Sequence, residues 1–452
     1  MTNKLNRSEQ SAKELITTKQ PGGKTVASLK KLFDYHATIP DRRLIARVSR
    51  AEQVGDGVRA RHSYEFDGFD ADLSTEDYKR AFSDPTYVDP FTIIRVVTTK
   101  NRFETLFDIS PEVGDWFELE IGPAKKPSIG PMAFHAQLKP NGYTEQSRGT
   151  LRQARFLFSD REPEGGPRSP PRPLLSLGAA VTVTPSYAQQ LAIDCAFPAS
   201  AVASKAQLRT LLTPIPRPHA VIVHDVGQAN FISLVDNQGK PSLYYDAGWP
   251  IVFNGRTVPK QFPLPSSKVP IILSHWDFDH LAGFYQFPQL QTSQWVTPIQ
   301  KFGPNARRIA GILAGKSKLL GWSGGAIAFR WGQAKQCTSP PSQMNDSGLA
   351  LRVILSSGKQ ILLVGDAAYD HAGLPPGASF DFLVVTHHGA NFVGTVPKST
   401  SRSSRGVVSV GKGNVYKHPK DHALRRHKVR GWSLIPTFGK IGSPRGDRRL
   451  GP

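Results

Sequence analysis

Between Val269 and Gly283 the chain reads VPIILSHWDFDHLAG, and no other stretch restricts the possible folds as much. Its opening apolar run, Val269 to Leu273, carries Pro270 and has the pattern of a buried strand. Four potential metal ligands follow within six residues: His275, Asp277, Asp279 and His280. The small and apolar run from Leu281 then begins a helix. On extended backbone, residues two apart point the same way. His275 and Asp277 therefore converge on one cation, while Asp279 and His280, at the turn into the helix, address a second. Burying four ionisable groups beside a core strand is costly unless something compensates them, and a metal ion does.

Later apolar runs repeat this arrangement. Residues 219–236 (HAVIVHDVGQANFISLVD) give two strands around a Gly-containing turn, and 243–248 (LYYDAG) a strand ending in Asp246. Further strands are expected at 293–298 and 325–330. Residues 345–368 form a hairpin that ends in Gly365–Asp366, and 380–390 a buried strand that ends in His387–His388–Gly389. Chemically useful residues recur at strand C-termini, where one sheet can bring side chains to a common point.

With these residues in hand, positions 219–445 resemble the metallo-β-lactamase fold superfamily, and more narrowly the hydrolase domain of ComEC-type DNA-uptake proteins. The matching segments are DVGQ (225–228), YDAG (245–248), SHWDFDHLAG (274–283), NDSGLAL (345–351), LLVGDAA (362–368), VVTHHGA (384–390) and VVSVGKGNVYKHP (407–419). The resemblance implies an α/β domain of αββα sandwich type with metals at one edge. Carried over by position, His275, Asp277, Asp279 and His280 match the ligand loop, and Asp366 matches the acid that bridges two ions. One of His387 and His388 matches the last ligand. Asp225 and Asp246 fall at supporting positions, and Asn414 and His418 in an N-x-Y-x-H-P segment where a His contacts phosphate or protonates a leaving group. The chain departs from the pattern too. No His occurs from Leu281 to Gly365, so one site lacks an imidazole that Asn345 or Asp346 would have to replace. Asn230 stands where an acid is usual, and pore segments are absent.

Histidines and carboxylates without a thiolate suit Zn²⁺ or Mn²⁺, as one or two ions, and Mg²⁺ less well. The expected reaction is attack of metal-activated hydroxide on a phosphodiester, with Asp277 or Asp279 accepting the proton and His418 assisting. Net charge is +21, and the last 55 residues hold 14 Lys/Arg against two Asp. Arg402, Arg405, Lys412, Arg425, Arg426, Lys428 and Arg430 are the expected contacts to a nucleic-acid backbone, which makes a nuclease the leading expectation. Two alternatives stand beside it: hydrolysis of a small anion such as a nucleotide or cyclic nucleotide, and a non-catalytic nucleic-acid or partner-binding protein with a decayed metal site.

The two cysteines, Cys195 and Cys337, are far apart. They exclude a disulfide framework and a multi-thiolate zinc site and point to a reducing compartment. The polar N-terminus has no apolar signal core, and no run reaches the roughly 18–20 apolar residues of a membrane helix, so the expected location is cytoplasmic. The expected organisation is a mobile basic arm (1–30) and a smaller α+β or mostly β domain (31–160), the latter a possible site for a protein partner. A Pro/Gly-rich connecting segment (161–218), with strand-like 181–184 and a helical pattern at 199–212, leads to the hydrolase domain (219–452). Within the smaller domain, strands are expected at 91–97, 103–109 and 116–121, and no catalytic constellation.

Overall fold

The computed structural model of the chain describes residues 16–19, 25–28, 34–55, 60–124, 130–161, 185–439 and 442–452. The fold is mixed α/β, with more strand than helix. The part of the connecting segment from 162 to 184, including 181–184, lies outside the described residues. So does most of the expected arm, but Ile16–Lys19 and Thr25–Ser28 pair with each other, and the second also pairs with Gln261–Pro263 of the C-terminal region. Those eight residues are thus part of a sheet rather than a free arm.

Six N-terminal strands close into a barrel. Their order around the ring is Gly142–Ser159, Asp115–Gly122, Arg42–Val54, Arg61–Asp70, Phe91–Thr98 and Met132–Lys139, which returns to the first. Closure depends on the 18-residue strand 142–159. Its first half pairs with Met132–Lys139 and its second half with Asp115–Gly122, so the ring has no open edge there. Leu44, Ala46 and Val48 alternate inward to a core with Phe66, Ile94, Phe117 and Leu119. Residues 103–109, expected as a strand, instead belong to a helix, Lys100–Phe107. The Thr99 hydroxyl caps it by accepting the Arg102 N–H at 3.2 Å. Phe103 and Phe107, four apart, meet edge to face with ring centroids 4.9 Å apart on the core-facing side.

Two seven-stranded sheets make up the rest. The first runs Leu319–Trp322, Trp295–Pro298, Ile271–Ile272, Pro241–Ala247, Phe231–Val235, Ala220–Val223, Arg448–Leu450. The second runs Ala326–Phe329, Gly332–Gln336, Leu349–Ile354, Gln360–Leu363, Phe382–Val384, Arg405–Val408, Ser433–Pro436. Val223, Ile232, Leu234, Tyr245 and Ile272 of one share a buried cluster with Leu351, Val353, Ile361, Leu363 and Phe382 of the other. The strands expected from the apolar runs are present within a few residues of their expected ends, and the pattern at 199–212 resolves into a short turn of helix and the capped helix Lys205–Leu212.

The barrel is joined to this body through a continuous apolar cluster. Ile45, Phe69, Phe91 and Trp116 from the barrel's outside belong to the same cluster as Trp276, Phe278, Tyr285 and Phe302. A polar joint reinforces it. Asp67 of the barrel accepts the Asn305 backbone N–H at 2.9 Å, and it also accepts the Asn305 side-chain amide, at the start of helix Pro304–Gly315.

Candidate metal centre

Strand 271–272 of the first sheet and the parallel run 360–363, 382–384 and 405–408 of the second deliver their following loops to one place. His275 is fully buried after the first strand, and Asp279 and His280 sit in the short helix Phe278–Leu281. Gly365, with φ +59°, turns the chain after the second so that Asp366 faces His275. A Cβ at Gly365 would lie 2.5 Å from the Ser274 side chain, so no other residue fits. After the third strand, His387 and His388 both adopt left-handed backbone (φ 50° and 53°), which is uncommon for non-glycine residues. That turn presents both imidazoles to Asp366. Sequence leaves the choice between His387 and His388 open; both lie beside Asp366, and His388 is the one that falls within a compact donor group among the described residues.

Three of the histidines, His275, His280 and His388, are oriented from behind. His280 Nδ1 is 2.8 Å from Asp246 Oδ2, and His388 Nδ1 donates to the Ser409 carbonyl at 2.6 Å. His275 Nδ1 lies 3.0 Å from the Ser274 hydroxyl, which itself donates to Asp246 at 2.9 Å. Asp246 is therefore the supporting carboxylate that the sequence placed there, and Asn230 donates to it at 2.8 Å. An acid at 230 would set two carboxylates against each other; Asn removes that conflict.

The Nε2 atoms of all four histidines point to Asp366. Its Oδ1 is 3.0 Å from His280 and 3.8 Å from His388; its Oδ2 is 3.9 Å from His275 and 3.4 Å from His387. Asp279 Oδ2 lies 3.3 Å from His388 Nε2. These seven atoms are buried and lack a hydrogen-bond partner. Buried polar groups are rarely left so, and a cluster of imidazole and carboxylate orphans has the chemistry that suits a divalent cation. Among the described residues, His275–His280–Asp366 and Asp279–His280–His388 each hold their ligand atoms within 4.8 Å of one another. Burial would raise the Asp366 carboxyl, but His387, His280 and His388 together hold it well below its ordinary range.

Two residues that no local pattern marked reach this centre from the barrel. A bulge at Ser49 shifts the register of strand 42–54 between Val48 and Arg50. Without it Arg50 would follow Val48 into the barrel; with it, Arg50 and Glu52 both face outward. The Arg50 guanidinium, 3 % exposed, donates to Asp277 and to Asp279, each at 2.6 Å. Glu52 Oε1 lies 3.4 Å from His387 and Oε2 3.0 Å from His418. Sequence reasoning had found no constellation in this region. The strand also carries Arg42, Arg43 and Arg47, so its sequence does not single out Arg50 and Glu52.

Other expected site residues are placed differently. Asp277 caps the short helix through the Phe278 N–H at 2.7 Å and gives its second oxygen to Arg50, so it stands outside the donor groups. Asp346 accepts the Ala368 N–H at 2.7 Å, and neither it nor Asn345 enters the donor groups. Asp225 is bound by the Arg445 guanidinium, 3.0 Å from Nη2, rather than supporting the ligand loop. Asn414 ties its own loop, donating to the Gly411 and His418 carbonyls at 2.8 and 2.7 Å. His418 is beside the centre, and burial, with His387 and His388 nearby, lowers its pKa against the pull of Glu52. Of the basic residues, Arg402, Arg405, Lys412, Arg425 and Lys428 are exposed. Arg426 instead donates to the Phe392 and Gly394 carbonyls, and Arg430 donates to Val396 O at 2.9 Å.

No protein-family model matches the chain, and comparisons with curated proteins and with solved structures return no match.

Proposed function

We propose that the chain is a metal-dependent hydrolase of the metallo-β-lactamase fold that cleaves phosphodiester bonds of nucleic acid. The observation that carries this reading is the set of seven buried, unpartnered imidazole and carboxylate atoms around Asp366. Two sheets over a common cluster, with ligands on the loops after their strands, support an αββα arrangement. His275, His280, His387, His388, Asp279 and Asp366 would hold Zn²⁺ or Mn²⁺. One or two such ions supply Lewis acidity toward a phosphoryl oxygen and a hydroxide nucleophile at neutral pH.

The protein's own groups then have distinct tasks. Asp277 and Asp279 are engaged by Arg50, and Asp279 is held well below its ordinary range by Arg50, His388 and His280 in spite of burial. Asp279 is therefore a poor proton acceptor, whereas burial raises the Asp277 carboxyl against the pull of Arg50. His418, held in place by Glu52 and keeping an unpartnered Nδ1, is better suited to carry a proton to a leaving oxygen. The exposed Arg402, Arg405, Lys412, Arg425 and Lys428 supply the positive surface that a polyanion needs.

A second reading, hydrolysis of a small anion, is favoured by one observation: the donors are buried beneath the barrel, with His275 and His280 fully enclosed. Incubating wild type and Asp366→Ala, each loaded with Zn²⁺ or Mn²⁺, with single-stranded DNA, duplex DNA, RNA and a small phosphodiester separates the cases. Polymer cleavage that falls steeply with salt and vanishes in the variant is the expected result. Cleavage of the small ester alone, insensitive to salt, would move the assignment to the second reading. No cleavage of any substrate by the loaded wild type would end the hydrolase assignment.

A further inference from the structure

We infer that Glu52, delivered by the N-terminal barrel, is itself a metal ligand, completing the second cation position in place of the imidazole missing between Leu281 and Gly365. This rests on the metal-centre reading above and extends it to a residue more than 200 positions away from the ligand loop.

The unpartnered donors divide between the two oxygens of Asp366. Around Oδ1 lie His280 Nε2 at 3.0 Å and His388 Nε2 at 3.8 Å, and His388 leads on to Asp279 Oδ2 at 3.3 Å. That is a four-donor set of two imidazoles and two carboxylates, complete for a tetrahedral ion. Around Oδ2 lie only His275 Nε2 at 3.9 Å and His387 Nε2 at 3.4 Å. This second set has fewer donors and is looser than the first, because His387 lies outside the groups whose atoms all fall within 4.8 Å of one another; Glu52 Oε1, 3.4 Å from His387 Nε2, adds a carboxylate oxygen on that side.

Glu52 has the properties of a ligand. Its side chain is 9 % exposed. Its two oxygens have separate surroundings: Oε2 meets His418 at 3.0 Å, whereas Oε1 is buried and without a hydrogen-bond partner. Arg50 Nη1 lies 3.6 Å from Oε1, and it too is without a hydrogen-bond partner. The carboxylate therefore has one oxygen supported by a histidine and one turned toward the donors, as a ligating carboxylate with a supporting partner does. The bulge at Ser49 that aims it there belongs to a class of irregularity common beside functional sites.

The test uses the full chain, stripped with chelator and reloaded by dialysis against Zn²⁺ or Co²⁺. Metal content by elemental analysis and the visible absorption of the Co²⁺ form are compared for wild type, Glu52→Gln and His418→Ala. Wild type should hold two ions. Glu52→Gln should keep the first and bind the second more than about 100-fold more weakly, beyond the 10- to 100-fold typical of losing a supporting partner. The Co²⁺ bands should lose the second ion's component. His418→Ala leaves all donors in place and should still hold two. If Glu52→Gln binds both ions with unchanged affinity and spectrum, or if it and His418→Ala lose the second ion equally, Glu52 is only a latch for its neighbours and the inference is overturned. One ion in wild type and the same one in Glu52→Gln overturns it as well. A wild type that takes up no more metal than Asp366→Ala would instead remove the metal centre itself.

Discussion

Replacing Arg50 by Met tests the joint between barrel and centre most directly. The guanidinium is 3 % exposed and bridges two carboxylates at 2.6 Å each, and these are 3 % (Asp277) and 8 % (Asp279) exposed. Met keeps most of the volume and leaves both carboxylates buried without their cation. Removing one partner of a buried pair typically costs about 3–5 kcal/mol, because the remaining charge stays desolvated. Since barrel and sheets share one apolar cluster, the chain should melt as a unit. At roughly 2.1 cal/mol/K per residue, 452 residues give an unfolding entropy near 0.95 kcal/mol/K. The loss then corresponds to a drop of about 3–5 °C in Tm. Seven tryptophans, several of them fully buried, make intrinsic fluorescence a suitable probe. Measured in excess chelator, Arg50→Met should melt that much below wild type. In saturating Zn²⁺ the gap should narrow, because Asp279 regains a cation from the bound ion. A variant melting within about 1 °C of wild type in chelator would refute the claim that Arg50 compensates buried charge there.

Two further outcomes follow from the same joint. Burial, only partly offset by Arg50 and the Tyr416 hydroxyl, raises the Glu65 carboxyl from 4.5 to about 7. Between those pH values the folded chain keeps a proton that the unfolded chain has released, so this group's contribution to stability declines as pH rises through the window. Glu65→Gln, which mimics the protonated form, should melt with a flatter profile from pH 5 to 7.5 and above wild type at pH 7.5; parallel profiles would show that Glu65 does not titrate there. Asp67→Ala removes the acceptor for the Asn305 N–H and side-chain amide at a fully buried position. A loss of about 1–3 kcal/mol is expected from those unsatisfied donors, seen as a lower Tm for the whole transition, and an unchanged Tm would mean the polar joint contributes nothing.

The contacts of the barrel show why parts of this site were not legible in advance. The loop from His275 to His280, Asp366 at the end of its strand, the His387–His388 pair and the support from Asp246 were all readable along the chain. In each case a short apolar run predicts the strand, and the residues just beyond it must lie at the strand's end. The helix at 100–107 is not legible from pattern because the seven residues 103–109 carry four apolar side chains that satisfy either period; the Thr99 cap and the core contact of Phe103 decide it. The basic segment was legible as charge but not as surface, since Arg426 and Arg430 are occupied by carbonyls of the preceding loop.

The sequence by itself determined that imidazoles and carboxylates gather at strand ends of one α/β body, because ligand loops are local and the period of a strand is two. Only the tertiary structure decided that Arg50 neutralises Asp277 and Asp279, 227 and 229 positions away, and that Glu52 faces the donors. Those contacts arise from a single extra residue in one barrel strand and from the apolar face on which the barrel docks. Neither leaves a spacing in the sequence, because the residues they join meet only after two separately folded surfaces have packed together.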